Sequence, residues 1–191
     1  MLAIAILAVL LPTGSERAAQ AAENEASWSL CRTQARLMER AAELPDHLLA
    51  AIARIESGRW HKGKGEILSW PWTVMAEGRG RYLPTKRAAI AEVEKLRARG
   101  VRNIDVGCMQ INLKYHGEAF RTLEEAFDPL SNIAYAAAFQ SDLKSETRSW
   151  TKAIGHYHSR HQHRGMKYRL KVLEAWREER RLAARRYQAA Y

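Results

Sequence analysis

A chain of 191 residues, 47% of them hydrophobic and 27% charged, is the size of one domain that can bury a sizeable core, which excludes wholesale disorder. It has no Gly-X-Y period, no helical repeat of 20–50 residues and no second long apolar run, so collagen, solenoid and multispanning membrane architectures are set aside. The formal net charge is +10, and ten Lys/Arg against three Glu in residues 160–191 place +7 of it in the last 32 residues; such a local excess attracts anions without choosing among them.

In chain order, Met1–Leu11 is an apolar run too short to span a bilayer, followed by Pro12 and a small, polar stretch containing Ala19-Gln20-Ala21. This is the pattern of a secretory signal peptide over residues 1–21, cleaved before Ala22, and it leaves no transmembrane anchor. Export in turn makes a bridge between Cys31 and Cys108 the favoured reading over two buried thiols, and closing a loop of that length is worth roughly 4 kcal/mol in the chain-entropy account.

A helix is predicted over Thr33–Leu44, stopping before Pro45. Asp46 is the candidate N-cap of a second helix, on which Leu49, Ile52 and Glu56 fall at i, i+3 and i+7, until Gly58 stops it. Residues Glu66–Leu83 change to Trp, Thr, Val and Tyr around Glu77-Gly78-Arg79-Gly80, which suits a hairpin or an extended flap. Thr85 caps a helix to about Arg99, closed by Gly100. Ile104–Leu113 is a mixed apolar segment, and helices come next near Glu118–Phe127, Asn132–Leu143, Trp150–Ser159 and Gly165–Ala190. The alanines of Asn132–Leu143 mark a central helix that neighbours can approach closely. In Trp150–Ser159, Tyr157 falls on the inward stripe with Trp150, Ala153 and Ile154. The fold class is mainly α, with a small β insertion and a basic C-terminal helical tail over residues 177–191.

Chemistry gathers first at Glu56, because a carboxyl on an apolar stripe is driven toward its protonated form, as a general acid requires. The alternative is a Glu that turns outward to pair with Arg54 or Arg59. The segment Asp105-Val106-Gly107-Cys108-Met109-Gln110-Ile111-Asn112 offers a close backbone approach at Gly107 and amide groups at Gln110 and Asn112 suited to a hydroxyl-rich ligand; as bare sequence it is equally a loop through a core. His156, His158, His161 and His163 do not share one helical face, and no Cys or HExxH accompanies them, so no metal site is expected. Ser57 lacks a nucleophile elbow. The basic C-terminal helix lacks the context of a recognition helix, so it is read as a solvated tail and not as a nucleic-acid site.

Taken in order, Glu56-Ser57, Gly107–Asn112, Asn132 before the alanine-rich run and Ala153-Ile154-Gly155-His156-Tyr157 resemble family-23-type lytic transglycosylases, which have the SLT domain and a lysozyme-like fold. The likeness covers about Cys31 to Trp176, placing a lysozyme-like domain over residues 22–176, and the insertion from Trp70 to Asp105 resembles a small exported subgroup in which a cysteine placed like Cys31 accompanies that of Gly-Cys-Met-Gln. The resemblance implies that Glu56 is the catalytic acid/base and Ser57 its steadying hydrogen-bond partner. It also implies that Ser57, Met109, Gln110, Asn112, Tyr157 and His158 belong to the substrate-binding set. His156-Tyr157-His158-Ser159-Arg160 stands where many members read Ala-Tyr-Asn-x-Gly, so Tyr157 carries over directly and His158 as a cleft residue.

The activity implied by this resemblance is cleavage of peptidoglycan glycan strands between N-acetylmuramic acid and N-acetylglucosamine, with the substrate acetamide replacing a second carboxylate, 1,6-anhydro ends as products and no cofactor. Small members of this kind open the wall for secretion, flagellar or conjugation assemblies, in the periplasm. Asp105 is the residue that would turn the chemistry toward hydrolysis; its local role is to cap the loop or pair with Arg102. A hydrolytic muramidase and a non-catalytic wall-binding protein are the rival readings.

Overall fold

The structure, a computed structural model, describes residues 14–188, so the apolar run Met1–Leu11 of the expected signal peptide lies outside the described residues. Helix α1 spans Gly14–Ala41 and crosses the expected cleavage position before Ala22. It ends three residues earlier than the sequence predicts, because Glu43 adopts a left-handed conformation (φ 51°) and Leu44 donates its N–H to the Glu39 carbonyl at 2.8 Å.

Helix α2, Leu48–Ser57, is buried on nearly every side: Leu48, Leu49, Ala50, Ala51, Ile52 and Ala53 are all in the core. Burying each of Leu48, Leu49 and Ile52 contributes about 1.5–3 kcal/mol. Its N-terminus corrects the expectation for Asp46. His47 occupies the cap position with φ 66° and provides no side-chain cap. Instead the buried carboxylate of Glu39, reaching across from α1, accepts the N–H groups of His47 (2.9 Å) and Ala50 (3.1 Å).

Two small antiparallel sheets come next. Strands β1 (Gly58–His61) and β2 (Glu66–Ser69) pair with each other. Strands β3 (Thr73–Ala76) and β4 (Arg79–Tyr82) form a two-residue hairpin at Glu77-Gly78, both with positive φ, as a type I′ turn requires. The expected flap, Glu66–Leu83, therefore holds one complete hairpin and the second strand of another that begins at Gly58. Helix α3, Lys86–Ala98, starts as predicted, with the Thr85 hydroxyl accepting the Ala88 N–H. The mixed apolar segment supplies β5 (Ile104–Val106) and β6 (Ile111–Asn112), which complete a sheet of order β4-β3-β5-β6.

The helix predicted over Glu118–Phe127 is split into a 3₁₀ turn at Gly117–Ala119 and α4 at Leu123–Ala126. Phe120 is extended between them and packs against both core clusters, and Thr122 caps a new start through the Glu125 N–H. Helix α5 begins before the predicted Asn132, at Pro129, because Asp128 accepts the Ser131 N–H (2.8 Å) with proline at the first position; it runs to Thr147. Helices α6 (Trp150–His158) and α7 (Gln162–Gln188) complete the chain. They cross at Gly155 and Gly165, where a Cβ on Gly165 would lie 2.6 Å from the Ser159 carbonyl.

One core cluster surrounds α2 with residues of α1, α5, α6 and α7, and a second lies between the four-stranded sheet and α3. Cys31 and Cys108 are bridged, with Cα atoms 5.6 Å apart, tying α1 to the β5–β6 turn. The expectation of a solvated basic tail is corrected in its first turn. Helix α7 continues unbroken past Trp176, and Glu179 is 2% exposed, held by Arg32 Nε and Nη2 (both 3.1 Å) and Arg54 Nη1 (3.2 Å). Further along, Arg186 pairs with Glu66. Opposite charge favours this clasp of α7 against α1, α2 and β2; burying Glu179 costs desolvation, so once inside it depends on keeping its arginine partners.

Candidate active site

Glu56 is the penultimate residue of α2, placed where the helix leaves the core and meets a cavity of about 400 Å³. The outward pairing considered for it is absent: Arg54 binds Glu179, and Arg59 lies over the rings of Trp28, Trp70 and Tyr82. Its partner is Tyr168 of α7, which donates its hydroxyl hydrogen to Oε1 at 2.5 Å. Burial pushes the Glu56 carboxyl up from 4.5 to about 7; the Tyr168 hydrogen bond opposes this and the charge of Asp105 adds to it. The group is therefore poised near neutrality, able both to give and to take a proton.

The cavity brings Gln110, Asn112, Tyr157 and His158 together with Glu56, as expected, and adds Asp105. Asp105 is paired neither by a cap nor by Arg102. The β5–β6 register sets it opposite Asn112, whose Nδ2 donates to it at 2.6 Å, while burial raises its carboxyl above the ordinary value. Asn112 is fully engaged: Nδ2 also donates to Asn103 (2.7 Å), and Oδ1 accepts the N–H groups of Lys114 and Tyr115. Gln110 sits in the left-handed region (φ 48°), its Nε2 tied to the carbonyls of Thr73 and Gly107, so its Oε1 is the atom left for a ligand.

Met109 and Ser57 are fully buried and do not line the cavity. They build its wall. The Met109 carbonyl accepts the Tyr157 hydroxyl (2.9 Å), and its N–H donates to Asn132 Oδ1 (2.9 Å). Ser57 donates to the Cys108 carbonyl (2.7 Å), so it steadies the end of α2 against the β5–β6 turn and makes no hydrogen bond to the Glu56 carboxyl. Asn132 also donates to the Val106 and Ala126 carbonyls, and it fills the space beside Gly107, where a Cβ would lie 2.5 Å from its amide nitrogen. Gly107, with φ 81°, meets that demand without strain.

Tyr157 stacks near Tyr168, and His158 lies almost parallel to the Tyr168 ring, with centroids 4.8 Å apart and planes at 9°. Burial lowers the His158 pKa, favouring the neutral imidazole. Sequence reasoning missed Tyr168, although Tyr168, Val172 and Ala175 recur at i, i+4 and i+7 and a buried phenol needs a partner. It also missed His116, Met75, Tyr115 and Phe139, which line the cavity from positions outside the quoted motif residues. Among the described residues no three His, Cys, Asp or Glu are grouped to hold a metal ion.

Glu56, held near neutrality and facing a cavity lined by amides, aromatic rings and the second carboxyl of Asp105, is suited to acid/base work on a polar, ring-shaped ligand. The profile of the family described as transglycosylase SLT domain matches residues 35–171, more than two thirds of the chain. The chain belongs to the transglycosylase SLT domain family. Glu56, the β5–β6 turn, Tyr157 and Tyr168 all fall within the matched span, and membership brings a peptidoglycan-acting function of the lytic transglycosylase type. The mainly helical architecture with its small antiparallel sheet is that of a lysozyme-like SLT domain. Comparison with curated proteins and with solved structures gives no match.

Proposed function

We propose that this SLT domain protein cleaves the β-1,4 bond between N-acetylmuramic acid and N-acetylglucosamine without consuming water, leaving 1,6-anhydromuramic ends. The observation that carries the reading is Glu56, raised to about 7, facing the cavity and hydrogen-bonded by Tyr168. Protonated Glu56 gives its proton to the glycosidic oxygen as that bond breaks, and the muramoyl acetamide stabilises the positive charge at the anomeric carbon. Glu56, now a carboxylate that the Tyr168 hydroxyl stabilises, takes the proton from O6 of the same sugar, and O6 closes on the anomeric carbon. The attack gains from the high effective molarity of a tethered nucleophile. Gln110 Oε1, Tyr157 and His158 are assigned to holding the strand.

Residues 1–21 act as an export signal in this reading, and the protein works in the periplasm, in keeping with the Cys31–Cys108 bridge and its need for an oxidising compartment. Its product suits a secretion, flagellar or conjugation assembly that must pass through the wall.

The Glu56→Gln variant should fold, bind glycan and release nothing from sacculi, whereas the unaltered protein releases anhydro fragments identified by mass spectrometry. An active Gln variant refutes the assignment. A second reading has its own observation: Asp105 lines the same cavity, so a hydrolase using Asp105 to activate water would release fragments heavier by one water per cut.

A further inference from the structure

Beside the cleft lies a second hollow of about 610 Å³, lined by Arg97, Arg102, Leu113 and Lys114. Its three cations come from three separate stretches: the last turn of α3, the loop before β5 and the loop after β6. Among the described residues none of the three forms an ion pair with a carboxylate; Lys114 rests over the Tyr115 ring at 5.3 Å. The contrast with their neighbours is sharp. Arg99, two residues past Arg97, is neutralised by Glu77, and Arg81 by Glu92.

The hollow and the cleft share a wall. Asn103 and Asn112 line the cleft and are tied together at 2.7 Å, and their chain neighbours Arg102 and Leu113 line the hollow. A branch leaving a sugar bound in the cleft needs to cross only this clasp to reach three uncompensated cations.

We propose that the Arg97/Arg102/Lys114 hollow is a subsite for the carboxylate-bearing peptide branches of the glycan strand, so that branched strands are held in preference to bare ones. This rests on the reading of the cleft as a glycan site. Because branch and sugar belong to one molecule, the second contact forms at high effective concentration, and exposed charges of modest individual worth then add to retention.

The test uses the full chain carrying Glu56→Gln, which binds without cutting. Dissociation constants are measured for peptide-bearing glycan strands and for strands stripped by an amidase. Peptide-bearing strands should bind about tenfold more tightly at low ionic strength, the difference shrinking with added salt. Adding Arg97→Gln and Arg102→Gln should erase the preference. Adding Arg180→Gln and Arg185→Gln on α7 instead, with the same loss of net charge, should keep it. Equal affinity for the two kinds of strand overturns the proposal, as does equal loss of preference in both sets of variants. With Glu56 intact, the Arg97→Gln/Arg102→Gln protein should cut stripped strands at the unaltered rate. A preference in binding without fragments from either strand would sink the transglycosylase reading while leaving the subsite standing.

Discussion

Replacing Glu56 with Gln should make the folded protein more stable above neutrality, by an amount that the site itself sets. Burial raises the folded-state pKa from 4.5 to about 7, so between those values the native protein holds a proton that the unfolded chain has released. The contribution of Glu56 to stability is therefore full below about pH 4.5 and is lost as the pH rises through 7. At about 1.4 kcal/mol per pH unit the loss amounts to about 3 kcal/mol. Glutamine has no charge to desolvate, and its Oε1 can still accept the Tyr168 hydroxyl, so the variant escapes the loss. The two proteins should be equally stable near pH 4.5 and differ by about 3 kcal/mol at pH 8, or roughly 6–12 °C in Tm for a domain of this size. Urea unfolding followed by tryptophan fluorescence at several pH values reads the gap directly, and contributions from Glu39 and Asp105, common to both proteins, largely cancel. A gap that stays constant between pH 5 and pH 8 would show that Glu56 titrates like an exposed carboxyl, and the acid role would fall with it.

Tyr168→Phe removes the donor that lowers the Glu56 pKa, so the limb of the kcat/KM profile that requires protonated Glu56 should move upward by about 1 to 2 pH units, given the worth of a hydrogen bond to a charged group. Asp105→Asn removes the neighbouring charge that raises Glu56, so the same limb should move down while anhydro products persist; complete inactivation of an enzyme whose products carry added water would instead identify a hydrolase. Replacing Cys31 and Cys108 together by Ser should lower stability by roughly 4 kcal/mol in denaturant titration and make the protein indifferent to thiol reductants. Glu179→Ala strands Arg54 and leaves Arg32 with Glu66 alone, at 3.4 Å, and should lower stability by about 3 kcal/mol; because the same helix carries Tyr168, the pH profile should shift along with it.

The sequence made the helices legible wherever a local signal marks them, as with Thr85 at the start of α3, and it put Glu56 on the face that matters. It was silent where a partner comes from elsewhere. The cap of α2 is supplied by Glu39 of α1, and no pattern near Asp46 reveals that. The pairing of Asp105 with Asn112 depends on the register of two very short strands that show no alternation. Ser57 and Met109 carry the motif, yet their work is to bond the wall together, because residue type gives polarity but not depth. Likewise Glu179 reads as one acid among many arginines, and only the packing of α7 shows that it lies inside.

That last helix has a practical meaning for anyone shortening the protein. A stop codon after Trp176, at the point where arginines begin to crowd the chain, would look like trimming an ornament. It would delete the only anion holding Arg54 among the described residues and loosen the rod from which a phenol reaches the acid. Such a truncation should yield a species that still compacts around its cystine but has lost command of its own proton.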